Sequence, residues 1–350
     1  MSVNYHERPG VYSDYTASRV LASRDGGKTV GIVGVSAAES GLYTLYTRTE
    51  AESLFGKDSS LGRMLRAAYE NGAGKILAYS LKGTGAADYA VGVAAVLAEK
   101  EAAFCALDST EETVQTALRD AVEASSRQKG ECVGLVGLSK PDKSALLARA
   151  KALDSERMVL LGPDVCLSGE TEAAGGCLAA AALCGVLASQ TDPALPLAGT
   201  ELAGFSSVTD RYEEEEIDAL VRGGVTVLEA AGGKVTVLRG ITTRDTTSSG
   251  RDTTWRELST LLVVDDVIPG IRRALAARFA RAKNTASTRA SVRALVVMEL
   301  ESRLRREIID GYSDLTVKPS DTDAAVCQVS FGFAVTRGLN RIELTAHISV

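Results

Sequence analysis

Between residues 30 and 190 the sequence alternates short apolar runs with longer amphipathic stretches, and no other feature restricts the fold as much. The runs at 30–35, 75–81, 102–107, 132–138 and 158–162 have the length and the Val, Ile and Leu content of strands covered on both faces. Between them, 60–71, 86–101, 111–126 and 143–153 read as helices, the first closed by Gly72. Regular succession of strand and helix predicts crossover units and a mostly parallel sheet, so the fold class is α/β with a central layer domain. A further helix is expected at 173–190, an uncharged stretch of 18 residues made mostly of Ala and Gly. That is the lower limit for crossing a bilayer. Ala and Gly partition weakly into hydrocarbon, however, and no basic or aromatic anchors flank the segment, so a buried helix without membrane insertion is expected.

Beyond residue 200 the pattern changes. A polar helix at 213–222 precedes a hairpin of 225–228 with 234–239, turned at Ala231-Gly232-Gly233. A strand is predicted at 258–264, followed by a basic helix at 271–283 with Ile271, Leu275, Phe279 and Ala282 facing inward. Next comes an amphipathic helix at 291–310, in which Val292, Val296, Leu300, Leu304 and Ile308 recur every fourth residue before Gly311. The strand at 326–336 alternates, placing Cys327, Val329, Phe331, Phe333 and Val335 on one face. Together these elements predict an α+β C-terminal domain. The expected divisions are an N-terminal arm at 1–28, the central domain at 29–235, the C-terminal domain at 236–338 and a terminal arm strand at 339–350.

Both ends of the chain are strand-like and lack a nearby hairpin partner. Pro9 and Gly10 exclude a helix, and Val11, Tyr12 and Tyr15 favour extended backbone. The last stretch sets Ile342, Leu344, Ala346, Ile348 and Val350 opposite Arg341, Glu343, Thr345, His347 and Ser349. An amphipathic strand of this kind pairs with its own sheet or with that of a neighbouring molecule. Charges near Met1 stand where a leader would be apolar, so synthesis without a cleaved export signal, in the cytoplasm, is expected.

A net charge of −6 and a pI of 5.3 argue against nucleic acid as a partner. The charge is unevenly placed. Residues 271–350 carry 13 Lys/Arg against 8 Asp/Glu, a net +5, which leaves −11 for residues 1–270. Arg272, Arg273, Arg278, Arg281 and Lys283 fall in a predicted helix that contains no acid, a one-sign cluster suited to docking on an acidic surface.

No catalytic, cofactor or metal set emerges. The two histidines, His6 and His347, lie in the terminal segments. The stretch at 22–29 departs from a phosphate loop at Ala22, and it precedes a strand where such a loop should follow one. Gly83 and Gly85 lie between a strand and a helix, as in a dinucleotide fold, but Asp88 occupies the third glycine position. Asp210, Glu213, Glu214, Glu215 and Glu216 point in different directions and suit a helix N-terminus better than a metal. Cys105, Cys132, Cys166, Cys177, Cys184 and Cys327 show no ligand spacing and read as small buried apolar residues; Cys177 and Cys184 are about two turns apart, too far for a disulfide. A cytoplasmic α/β nucleotide-binding enzyme remains the alternative, resting on the Gly83 turn.

Three segments carry a resemblance: Glu7-Arg8-Pro9-Gly10-Val11-Tyr12, Arg239-Gly240-Ile241-Thr242-Thr243 ahead of a variable stretch at 244–254, and Asp265-Asp266 before Ile271-Arg272. Their order is similar to that in the tail sheath proteins of contractile phage tails, R-type bacteriocins and contractile injection systems, which the chain resembles over nearly its whole length. The resemblance implies a non-enzymatic structural subunit with no cofactor. It implies stacked six-membered rings around an inner tail tube protein, in contact with baseplate and terminator or collar proteins. Such a sheath is assembled in the bacterial cytoplasm and contracts to drive the tube through a target cell envelope. It further implies arms that exchange strands between subunits, Pro9, Gly10, Val11, Tyr12 and Tyr15 at one end and Ile342, Leu344, Ala346, Ile348 and Val350 at the other, with the basic helix facing the tube. The chain is short for this family, leaving no room for large surface insertions.

Overall fold

The apolar runs become strands, and the stretches between them become helices that carry the chain back across the sheet. In the computed structural model the described residues are 27–247, 250–251, 253–339 and 344–345. The expected N-terminal arm residues Pro9, Gly10, Val11, Tyr12 and Tyr15 lie outside them, as do His6, His347 and, in the C-terminal arm, Ile342, Ala346, Ile348 and Val350; Leu344 is described and exposed.

In chain order the first elements are β1 (Thr29–Val35), β2 (Gly41–Leu45), α1 (Arg48–Phe55), α2 (Ser60–Glu70), β3 (Ile76–Leu81), α3 (Ala86–Ala98), β4 (Ala102–Leu107), α4 (Glu112–Arg127), β5 (Val133–Gly137), α5 (Lys143–Leu153) and β6 (Met158–Gly162). Side-chain caps fix several helix starts: Thr47 accepts from the Glu50 amide, Ser59 from Gly62 and Asp142 from Ala145. There follow β7 (Val165–Leu167), α6 (Gly176–Ser189), β8 (Thr200–Leu202), β9 (Phe205–Val208), α7 (Glu214–Arg222), β10 (Val225–Ala231) and β11 (Lys234–Val237). The main sheet has nine strands in the order β2-β3-β1-β4-β5-β6-β10-β11-β8. β3, β1, β4, β5, β6 and β10 are parallel to their neighbours in that series, while β2, β11 and β8 join antiparallel at the two ends.

Helices cover both faces of this sheet, as the sequence pattern predicts. One core is formed with α1, α2 and α6, through Phe55, Leu61, Leu65 and Leu183 among others. The other is formed with α3, α4, α5 and α7, through Val93, Leu118, Leu146 and Leu220. α6 is buried along nearly its whole length. A Cβ at Gly185 would sit 2.2 Å from the Ala68 carbonyl oxygen, so glycine there lets α6 lie directly against α2. Among the described residues no helix is long and apolar enough to cross a membrane.

The C-terminal domain contains a small hairpin, β12 (Thr246–Thr247) with β13 (Gly250–Arg251), then α8 (Leu258–Phe279), α9 (Ala286–Arg305), β14 (Ile309–Pro319) and β15 (Cys327–Val335). Here the structure corrects the sequence reading. The strand expected at 258–264 and the helix at 271–283 are one helix of 22 residues, with Arg281 and Lys283 in the turn beyond it and Ala282 exposed. Leu258, Leu261 and Leu262 belong to the core on one sheet face, whereas Val263, Val267 and Ile271 belong to a third core with Val296, Leu300 and Ile308. A helix wedged between two cores is apolar on more than one side, so its sequence loses the single stripe that marks an amphipathic helix. α9 also ends earlier than its pattern suggests. Glu307 takes a left-handed backbone (φ 58°) and Ile308 and Ile309 enter the third core, so the chain turns into β14 before Gly311.

Candidate assembly interface

A seam of main-chain and side-chain bonds ties α8 to the start of the parallel strands. In Arg239-Gly240-Ile241-Thr242-Thr243, the Thr242 amide donates to the Arg256 carbonyl (2.9 Å), the Leu258 amide donates to the Gly240 carbonyl (3.1 Å), and the Thr242 hydroxyl donates to the Trp255 carbonyl (2.7 Å). Thr243 faces the other way: its hydroxyl accepts from the Ser155 amide (3.1 Å) and donates to the Ser155 carbonyl (3.0 Å), in the turn ahead of β6. The Thr226 hydroxyl of β10 donates to the Ile241 carbonyl (2.8 Å) and accepts from its amide (2.9 Å). All three threonines are buried, so each hydroxyl satisfies main-chain groups that water does not reach.

Charges reinforce the seam. Arg157 grips Asp265 of α8 through both guanidinium Nη atoms, one at 2.9 Å, and the two side chains are 13% and 14% exposed. Glu131 accepts from Arg272 Nη2 at 2.8 Å. Asp266 accepts from Arg303 Nε at 2.8 Å, and Arg303 also binds Glu299 at 2.8 Å within α9. The Lys28 ammonium stands 5.5 Å from the centre of the Phe104 ring. Burial pushes the Asp265 carboxyl above its ordinary value, with Arg157 opposing; burial pulls the Lys28 ammonium below its own, with Asp266 and Asp265 opposing. Glu131 is also raised by burial, but its bonds to Arg272 and to its own backbone outweigh that and leave it below the ordinary carboxylate value. The sequence gives no sign of these pairs, because Arg157 and Asp265 lie 108 positions apart.

Of the five cations read as one basic face, Arg272 is therefore engaged within the protein. Arg273 and Arg278 project from α8, Arg281 and Lys283 from the turn at 280–285; all four are exposed and have no ion-pair partner among the described residues.

Beside this tip lies the β14–β15 ladder, which pairs Ile309 with Val335 and Pro319 with Cys327. Tyr312, Leu315, Val329, Phe331, Phe333 and Val335 pack onto the third core but stay only half-buried, and Phe331 stacks on Phe333 with ring centres 6.3 Å apart. The alternation expected for Cys327, Val329, Phe331, Phe333 and Val335 is present. Among the described residues neither outer edge of this two-stranded sheet has a partner, which leaves two rows of main-chain donors and acceptors for another strand.

The other candidates have local roles. Asp88 Oδ2 accepts from the Gly85 amide at 3.2 Å and crowds Gly83, so this turn presents a carboxylate where a phosphate cradle presents free N–H groups. Glu216 pairs with Lys143 at 3.0 Å, while Glu213, Glu214 and Glu215 are exposed at the start of α7. The six cysteines are free, and all but Cys327 are buried.

Residues 82–243 match the model of the phage tail sheath protein central domain, and residues 251–349 match that of the phage tail sheath C-terminal domain. A tail sheath protein of Bacillus phage SP01 is 30% identical over 135 residues, a stretch that is 38% of this chain and 23% of the relative; the match thus spans less than a quarter of the relative's length. Among solved structures, the helical sheath of the anti-feeding prophage in its contracted state aligns with a TM-score of 0.73 at 20% identity, over 98% of this chain and 99% of the other. The contracted PVC sheath complex of an extracellular contractile injection system gives 0.71 at 15% identity, over 99% of both chains. A sheath tail protein from Desulfitobacterium hafniense gives 0.69 at 12% identity, over 93% of this chain and all of the other. At these identities the structures establish the shared fold.

Proposed function

The chain belongs to the phage tail sheath family, and from that premise we propose that it is the non-enzymatic structural subunit of a contractile sheath. It polymerises as stacked six-membered rings around an inner tail tube protein and, on a signal from the baseplate, contracts to drive the tube through a target cell envelope. The observation that carries this reading is the β14–β15 ladder with two unpaired edges among the described residues and a half-buried apolar face. Those edges take the arms of neighbouring subunits, Pro9, Gly10, Val11, Tyr12 and Tyr15 from one and Ile342, Leu344, Ala346, Ile348 and Val350 from another. Main-chain ladders suit a lattice that must stay linked while its subunit bodies rotate, because they persist while side-chain interfaces exchange.

In this arrangement residues 29–235 face outward and 236–338 inward, with Arg278, Arg281 and Lys283 of the expected basic face meeting an acidic tube surface, Arg272 serving the seam and Arg273 lying in the groove beside it. Terminator or collar proteins end the polymer; nucleic acid, cofactors and membrane insertion play no part. Assembly takes place in the bacterial cytoplasm, and the product is the tail of a virion or a phage tail-like particle. Electron microscopy of the purified chain beside a variant lacking residues 1–15 tests this. Tubular polymers that vanish on deletion support it, whereas polymers indifferent to the deletion, or a compact monomer in both forms, contradict it.

A further inference from the structure

The amino edge of the parallel sheet holds a groove of about 550 Å3 whose charges the assembly described above does not use. Lys28 lines it from just ahead of β1, Phe104 from β4, Lys100 and Lys129 from the turns ahead of β4 and β5, and Asp265 and Arg273 from α8. Each acid in its wall is already matched inside the subunit: Glu101 by Lys75, Glu131 by Arg272, Asp265 by Arg157 and Asp266 by Arg303. Lys100, Lys129 and Arg273 are exposed and have no ion-pair partner among the described residues, so the groove presents an unbalanced positive rim.

At the opposite edge the imbalance is reversed. The start of α7 is fixed there by the Glu216–Lys143 pair, because Lys143 opens α5 just after β5 reaches its carboxyl end. Glu213, Glu214 and Glu215 precede it, exposed and without a cationic partner among the described residues. Since β4, β5 and β6 run parallel, the basic groove and the acidic tip stand at opposite ends of the same strands. Two complementary surfaces at opposite ends of a subunit suit head-to-tail contacts, which propagate into rings or helical filaments.

We propose that the groove is a docking surface for a second copy of this chain, whose Glu213, Glu214 and Glu215 meet Lys100, Lys129 and Arg273. The inference rests on the homopolymer reading and adds to it a contact separate from the arms. Unlike a main-chain ladder, the contact is screened by salt and re-forms readily, as suits subunits that change neighbours while the arms hold.

The test uses the full chain in three forms: Lys100→Glu/Lys129→Glu/Arg273→Glu, Glu213→Lys/Glu214→Lys/Glu215→Lys, and the two sets combined. Sedimentation gives the critical concentration for polymer formation. Each set alone should raise it about tenfold at low salt, and the combined chain, with complementarity restored, should return to within about threefold of the parent. A milder set, Lys100→Gln/Lys129→Gln/Arg273→Gln, should fall between parent and reversal and guards against a folding defect. Indifference to every set overturns the proposal, as does a combined chain no better than its worse parent, or loss of tube binding with self-assembly intact. If the parent stays monomeric at every concentration, the homopolymer reading and the proposal fall together; if it polymerises and the charges are indifferent, only the proposal falls.

Discussion

Replacing Arg157 by Met removes the guanidinium that holds Asp265 while keeping an unbranched side chain to fill the space. Asp265 is then a carboxylate with a side chain only 14% exposed, facing Lys28, whose own charge is disfavoured by burial. Breaking a buried pair from one side costs about 3–5 kcal/mol; some water access and the nearby ammonium place this case at the lower end, about 3 kcal/mol. Removing both charges, in Arg157→Met/Asp265→Leu, should bring stability back to within about 1 kcal/mol of the parent, because desolvation of an ion pair roughly cancels its attraction. Urea unfolding followed by the fluorescence of Trp255 reads the seam directly, since this is the single tryptophan and its carbonyl accepts from Thr242 just ahead of α8. A single variant within about 0.5 kcal/mol of the parent, or a double variant as unstable as the single, would refute the reasoning that these charges act as one buried pair.

Reversal of Arg278, Arg281 and Lys283 to Glu should abolish co-sedimentation with the tube protein and leave self-assembly intact; unchanged tube binding places that contact elsewhere. Glu131 supplies a pH dependence. Burial raises its carboxyl, but the bonds from Arg272 and its own backbone, with the charges of Arg272 and Arg157, together outweigh burial and lower it in the folded chain, so its contribution is present above its ordinary value of 4.5 and is lost as pH falls through the folded value. The stability gap between parent and Glu131→Gln should therefore shrink on acidification from neutral pH, and a gap that stays constant in thermal unfolding contradicts the assignment.

The central sheet is legible from the sequence because β1, β3, β4, β5 and β6 are covered on both faces and show as continuous apolar runs between amphipathic helices. α8 is not, because Leu258, Leu261 and Leu262 serve one core and the residues from Val263 onward another, so that 258–264 and 271–279 each imitate a different element. β14 is hidden for a related reason: Ile308 continues the every-fourth-residue stripe of α9 although Glu307 has already turned the chain. The Arg239-Gly240-Ile241-Thr242-Thr243 segment carries family resemblance on its face, and the matching sheath domain models bear that resemblance out. Its physical role, a clamp from Thr243 to Ser155 across 88 positions, depends on contacts that no local pattern encodes. The basic tip is legible as composition, but the withdrawal of Arg272 into the seam required Glu131 to be seen beside it.

Helical reconstruction of the polymer by cryo-electron microscopy tests the sheath assignment most directly. The expected result is a six-fold tube in which each β14–β15 ladder is flanked on both edges by strands from other subunits, one built from the N-terminal arm and one from the C-terminal arm. A polymer whose ladder edges are bare, or a closed particle with no helical symmetry, would contradict it.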